Sequence, residues 1–241
     1  MALLSKPAPS IFGIVNRLFT PLLIRLYGVM IGMLMVYGTF HLSRQTPLYK
    51  DHLYQQLISG ARSEKLSAAA ELVDVGGQRQ LVQALKSRSD DVRAVATSAL
   101  WDLWFREGGS QAFEMTTRAV GRIERNEFRE ALAELNKIVR QYPDFAEGWN
   151  RRATVNWVMG RYEDSLSDCQ KVLSLKPEHF GAWQGMARCQ MHLMDLEGAV
   201  YSLRRAAQIQ PHDENTRTLL RRCEKLMRSL PKSLTQQIEQ V

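Results

Sequence analysis

Three prolines, Pro143, Pro177 and Pro211, stand 34 residues apart, and the sequence between them repeats. Aligned on the prolines, Ala131, Ser165 and Ala199 share a column of small residues. Leu135, Cys169 and Leu203 share the next apolar column, and Ile138, Val172 and Ala206 the one after. Met115, Trp149 and Trp183 open each unit, and Asn126, Gly160 and Met194 occupy one turn. A fixed period of this length marks units that cannot bury their apolar faces alone and must stack on their neighbours. The chain is therefore restricted to a repeat architecture over these residues.

With these columns, the period resembles the tetratricopeptide repeat (TPR), in which each unit is a pair of antiparallel helices. Ala119, Ala153 and Ala187 are small enough to let the first helix of a unit approach the second, and Phe128 and Tyr162 fill the space beside them. Each proline stops the second helix and turns the chain into the next unit. Two positions depart from the family pattern. Arg152 stands where leucine is usual, which predicts an aliphatic stem along the core and an exposed head, and Met194 replaces the turn glycine.

The stretch "LVQALKSRSDDVRAVATSALWDLW" resembles a HEAT repeat, with Asp91 placed to cap its second helix. "HLYQQLISG" and "EKLSAAAELVDVGG" read as the helical pair before it. Trp101 and Trp104 lie three residues apart on one helix face and are expected to pack the junction between the two repeat types. After Pro211, the residues Leu219, Leu220, Cys223, Leu226, Met227 and Leu230 form the apolar stripe of a capping helix. Arg217, Arg221, Lys225 and Arg228 form a basic strip on its other side, which is either a solubilising face or a surface for lipid phosphates or an acidic partner.

At the other end, "LYGVMIGMLMVYGTFHL", residues 26–42, passes without a formal charge. As a helix it is about 25 Å long, short of the roughly 30 Å hydrocarbon core of a bilayer. Starting at Leu22 closes the gap and leaves Arg25 to snorkel to the headgroups. Ile11, Phe12, Ile14, Val15, Leu18 and Phe19 fill one side of a preceding helix that Pro21 interrupts, which reads as an interfacial lead-in to a span. The rivals are a cleaved signal, whose one small-x-small site, at Val36, Tyr37 and Gly38, lies inside the apolar run, and an organelle presequence. Gly28 and Gly32 have the spacing of a membrane-helix contact, for self-association or for a helix of another subunit. The positive-inside rule separates the two orientations only narrowly, so the side on which the solenoid lies stays open, in a bacterial or organellar inner membrane.

The fold expected is all-α: a right-handed α-solenoid of helical hairpins behind a single transmembrane helix. Its parts are an amphipathic and transmembrane anchor (1–45), HEAT-like repeats (46–110), three TPR units (111–213) and a capping helix with its tail (214–241). The net charge of +7 sits at the two ends. Residues 1–50 hold five basic residues and no acid, residues 111–213 balance at fourteen each, and residues 214–241 carry a net +3. That distribution argues against a nucleic-acid channel through the middle.

Catalysis finds no motif: there is no G-x-S-x-G, P-loop or H-E-x-x-H, and the five histidines are scattered. The expectation is a non-enzymatic protein without a cofactor. The three cysteines make no disulfide framework. Cys189 and His192 are the one pair that a metal-binding accessory factor would use.

The resemblance implies that the first helix of each unit lines a concave groove. Matching positions are Thr116, Thr117, Val120 and Ile123; then Asn150, Arg151, Thr154 and Trp157; then Gln184, Arg188, Met191 and His192. Trp157 would anchor a partner peptide, and Asn150, Arg151, Gln184 and Arg188 would hold its backbone or an acid. Some family members bind chaperone C-termini through Lys, Asn and Arg residues, and Thr116 and Val120 stand at two of those places here. The reading is a membrane-anchored TPR scaffold whose partners are the bilayer and the protein subunits of a membrane complex. The alternatives are a soluble secreted or organellar peptide-binding adaptor and a metal-binding accessory factor.

Overall fold

The computed structural model describes residues 11–229, with side chains from Ile24 onward apart from Phe40. The apolar face expected over residues 11–23 and Leu230 of the capping stripe therefore lie outside the described side chains. The chain divides into two compact units, Met1–Lys50 and Asp51–Val241, and no strand is present among the described residues.

Among the described residues the first unit holds helix α1 (Ile11–Arg44) and the first turn of the helix that follows. Helix α1 runs through Pro21, where a break was expected: the ring removes one backbone hydrogen bond from a helix of 34 residues. From Ile24 to Leu42 its large apolar side chains are exposed, and space is open around Gly28, Gly32 and Gly38. Over Ile24–Arg44 the helix is long and apolar enough to cross a membrane by length and composition.

The second unit begins within α2 (Pro47–Ser59) and continues through α3 (Arg62–Asp74), α4 (Gln78–Ala84) and α5 (Asp90–Arg106). Leu57, Leu72, Leu81, Leu85 and Leu100 of this segment are fully buried. The N-cap of α5 is Ser89, whose hydroxyl accepts from the Val92 amide at 3.5 Å, and Asp91 lies in the first turn. Three hairpins follow: α6 (Gly109–Glu124) with α7 (Phe128–Gln141), α8 (Ala146–Val158) with α9 (Tyr162–Leu175), and α10 (Phe180–His192) with α11 (Leu196–Ile209). Helix α12 (Glu214–Ser229) closes the stack.

The small-residue columns sit where helices meet. Ala119, Ala131, Ala187 and Ala199 have no exposed surface, and Leu135, Ile138, Val172 and Leu203 fill the interior around them. Ser165, in the same column, donates from its hydroxyl to the Ala153 carbonyl at 2.7 Å, so its buried polar atom is satisfied. Between units, the Trp149 and Trp183 indoles donate to the carbonyls of Pro143 and Pro177 at 2.9 and 2.8 Å and tie each loop to the helix after it.

Arg152 differs from expectation. Its guanidinium grips both oxygens of the buried Asp168, at 2.9 and 2.6 Å, donates to Asn136 at 2.9 Å, and lies 4.7 Å from the Trp149 ring. The head is held because Asp168, itself buried, needs a partner.

A continuous stack would set α5 against the first repeat alone. Instead, α5 packs on α3 and α4 and also crosses to the later repeats. Trp101 and Trp104 meet His179 and Phe180 at the start of α10. Lys176 bridges to Glu107 at 2.7 Å, Gln78 donates to Glu178 at 3.1 Å, and Gln210 donates to Thr97 at 3.4 Å. A bulky ring needs a place without a side chain, and Gly181 supplies it: a Cβ there would come within 2.6 Å of Trp101.

The hairpin turns share one geometry. Asn126, Gly160 and Met194 have φ of 60°, 74° and 62°. The next amide in each turn reaches back five residues, as Arg161 does to the Asn156 carbonyl at 2.9 Å. Met194 is exposed and strained there, since a left-handed side chain-bearing residue costs about 1–2 kcal/mol. Met194→Gly is expected to raise stability by about 0.5–1 kcal/mol, after the larger unfolded-state entropy of glycine is subtracted. Urea unfolding checks this, with Gly160→Met as the opposite case, expected to lose stability.

Candidate functional site

Helices α8 and α10 present parallel faces with a recess of about 100 Å³ between them. Asn150, Thr154, Trp157, Gln184 and Arg188 line it, with Gly181 and Gly185 in its wall. The other positions named from the sequence lie elsewhere. Met191 packs on the core formed by Ala187, Leu203 and Cys223. The exposed His192 stacks on Tyr162 at 4.3 Å and meets the Trp157 ring edge-on at 6.0 Å. Arg151 turns to α5: it pairs with Glu147 at 2.6 Å and lies 5.7 and 5.6 Å from the rings of Trp101 and Phe105. On α6, Thr116 is fully buried and Ile123 packs against the core.

Most of the polar groups in the recess already have partners within the chain. Asn150 donates to Glu147 at 3.1 Å, Thr154 donates to the Asn150 carbonyl at 3.0 Å, and Gln184 donates to Asp213 and Thr216 at 3.2 and 3.0 Å. Two donors differ. Arg188 is exposed and has no ion-pair partner among the described residues. The Trp157 indole nitrogen is shielded from solvent and has no acceptor. Arg188 thus offers a cation beside the aromatic wall of Trp157, a set suited to the acids of a peptide.

Beneath one end of this recess lies a cluster that the sequence did not single out. His179 is fully buried, and its Nδ1 accepts from the Ala182 amide at 3.1 Å, capping α10. The ring proton is therefore on Nε2, which faces Glu147 at 3.3 Å. Glu147 is also fully buried and is shared with Asn150 and Arg151. Trp104 covers the imidazole, with the rings stacked at 4.2 Å. The signal available in the sequence was the position of His179, directly before the helix that Phe180 opens.

Cys189 donates to Ser165 inside the core at 3.2 Å, whereas His192 is on the surface. Among the described residues no group of three or more His, Cys, Asp or Glu side chains could hold a metal ion. Burial pushes both the Cys169 and Cys189 thiols up, Cys169 well above the usual thiol range. On α12 the basic strip is partly neutralised. Arg217 and Arg221 both pair with Glu214, at 3.4 and 2.6 Å, and Arg228 donates to the Glu224 carbonyl at 3.2 Å. Lys225 is exposed. The hydrogen bond from Arg221 holds the Glu214 carboxyl below its ordinary range, so these pairs are complete at neutral pH and are lost as the pH falls through that lowered value.

Two family models described as tetratricopeptide repeat match, over residues 116–179 and 159–223. A TPR repeat-containing protein of Rhizobium etli is 38% identical over 109 residues, which are 45% of this chain and 53% of that protein. The SGT1 homolog of Bos taurus is 28% identical over 94 residues, 39% of this chain and 28% of that one. The chain thus spans about half the length of the first of these relatives and less of the second. Among solved structures, the first TPR of Spaghetti (RPAP3) bound to an HSP90 peptide is similar at 19% identity and a TM-score of 0.49. That match covers 50% of this chain and 97% of that one. The Arabidopsis OM64 TPR domain is similar at 14% identity and a TM-score of 0.47, over 48% and 95%.

The burial of Cys169 and Cys189 generates a direct test. In the native protein both thiols are expected to react with DTNB at least about a hundredfold more slowly than in urea, because each must wait for an opening of the repeats. Mass spectrometry of the labelled peptides reads the two sites separately.

Proposed function

We propose, from the tetratricopeptide repeats that residues 116–223 carry, that this protein is a membrane-anchored, non-enzymatic scaffold. It binds protein partners through the recess between α8 and α10, and it organises or assists the assembly of a multi-subunit membrane complex. The observation that carries the reading is the convergence of Asn150, Thr154, Trp157, Gln184 and Arg188 on one recess. The uncommitted Arg188 supplies its polar selectivity and the Trp157 ring its aromatic wall. The exposed apolar run of α1 supports the anchor, and Gly28 and Gly32 leave its surface open to a neighbouring membrane helix. The HEAT-like residues 46–110 serve as the support from which the repeats are presented.

A second reading is a soluble peptide-binding adaptor made by removal of the N-terminal segment. It is favoured by the division of the chain at Lys50 and by the position of the apolar helix near the N-terminus. The two readings part in one preparation. The full chain is expected to stay in membranes through alkaline carbonate, with an intact mass that includes residues 1–50. Release into the supernatant, or a mature N-terminus beyond about residue 40, would establish the adaptor instead. Crosslinking mass spectrometry on the same membranes should map partner peptides to residues 150–192. The double variant Trp157→Ala/Arg188→Ala should reduce them about thirtyfold in affinity while leaving membrane retention unchanged, as expected for loss of a 2 kcal/mol anchor site.

A further inference from the structure

Helix α12 carries five basic and two acidic side chains, whereas residues 111–213 hold fourteen of each sign. Its inner side is packed. Thr216 and Cys223 are buried, and Leu219, Leu220 and Met227 lie against the core of the last repeat. The charges fall on the other side, and both acids are already engaged. Glu214 pairs with Arg217 and Arg221, and Glu224 pairs with Arg204 of α11 at 2.8 Å. Arg222 and Lys225 are exposed and have no partner among the described residues. Arg228, also exposed, meets only the Glu224 carbonyl among them.

Folding and solubility do not call for this pattern. Like charges three or four residues apart, as at Arg221, Lys225 and Arg228, repel and weaken a helix. The helix dipole favours a cation in the last turn, which accounts for Arg228 but not for Arg222 or Lys225. A solvated face needs charge, yet mixed signs serve it best. The three free cations span about 9 Å of helix, and Leu226, one turn after Arg222, is 44% exposed. Cations on long stems beside an exposed aliphatic side chain suit a flat, diffuse anionic surface with an apolar layer beneath it. That is the interface of an anionic membrane. A chain that α1 holds at a bilayer meets this surface at high effective concentration, so a short basic face suffices.

We propose that the outer face of α12 docks on anionic phospholipid headgroups, with Arg222, Lys225 and Arg228 as the contact residues. The proposal rests on the membrane-anchored reading above for where the surface is met, and on the charges of α12 for the binding itself. Docking gives the last repeat its own attachment to the leaflet. Lipid composition then controls how the repeats are held at the membrane.

The test uses the full chain with Ser229→Cys, labelled by a coumarin maleimide; the three native thiols are buried and do not compete. It is reconstituted with vesicles of phosphatidylcholine alone, or of phosphatidylcholine and phosphatidylglycerol at about two to one, each carrying an acceptor-labelled headgroup. Energy transfer is expected to be at least about threefold stronger with phosphatidylglycerol. It should fall to the phosphatidylcholine value in about 1 M salt, where screening is strong. It should also be lost in Arg222→Gln/Lys225→Gln/Arg228→Gln, with helix content by circular dichroism unchanged. Equal transfer in the two lipids would overturn the proposal, and a response of the label to poly-glutamate in that case would give the face to an acidic protein instead. Failure of the chain to float with phosphatidylcholine vesicles would remove the anchor reading alone. Flotation with phosphatidylglycerol vesicles only, lost in the triple variant, would then still establish the face, and flotation with neither would overturn both.

Discussion

Trp104 lies flat on His179 at 4.2 Å, both fully buried, and the unit from Asp51 onward is organised around that contact. On one side of it are the buried leucines of α2 to α5; on the other are the alanine columns of the repeats. The stack can form because His179 is held in place twice, by the Ala182 amide at Nδ1 and by Glu147 at Nε2. Glu147 in turn orders Asn150 and Arg151, one in the wall of the recess and one beneath α5. A buried carboxylate needs such partners, and here meeting that need links the capping of one helix to the shape of the recess beside it.

The repeats were legible because their period repeats three times, and stacking makes every column face the same environment in each copy. The turn geometry was legible for the same reason, with Met194 adopting the backbone of Gly160 despite its side chain. The path of α5 was not legible. Its contacts join residues about 70 to 113 positions apart, and a period of 34 carries no information about them. The Trp101 and Trp104 pair pointed to a junction, but its partners depend on Gly181, a missing side chain in a later unit. Arg152 escaped for a related reason: its partner Asp168 lies on another helix, and only the fold shows that this acid is buried.

For the recess, pattern reasoning named residues on α6, α8 and α10, of which those on α8 and α10 meet, but it could not rank them. Helical register puts Asn150 and Arg151 next to each other on α8, yet one lines the recess and the other turns to α5. Which polar groups remain for a partner depends on which are already used, and Gln184 is used by Asp213 and Thr216. What remains is Arg188 beside Trp157, at the part of the recess away from Trp101 and Gly181. The apolar surface of α1 is the other large exposed feature, and a scaffold that works at a membrane gives both features a role.

The claim beneath all of this is that Trp104 and His179 act as one buried unit. A double-mutant cycle on the full chain in detergent, with Trp104→Ala, His179→Ala and both, measures it by urea unfolding. The account predicts a coupling of about 1 kcal/mol or more, as found for well-formed aromatic pairs. Additive losses, within about 0.3 kcal/mol, would contradict it.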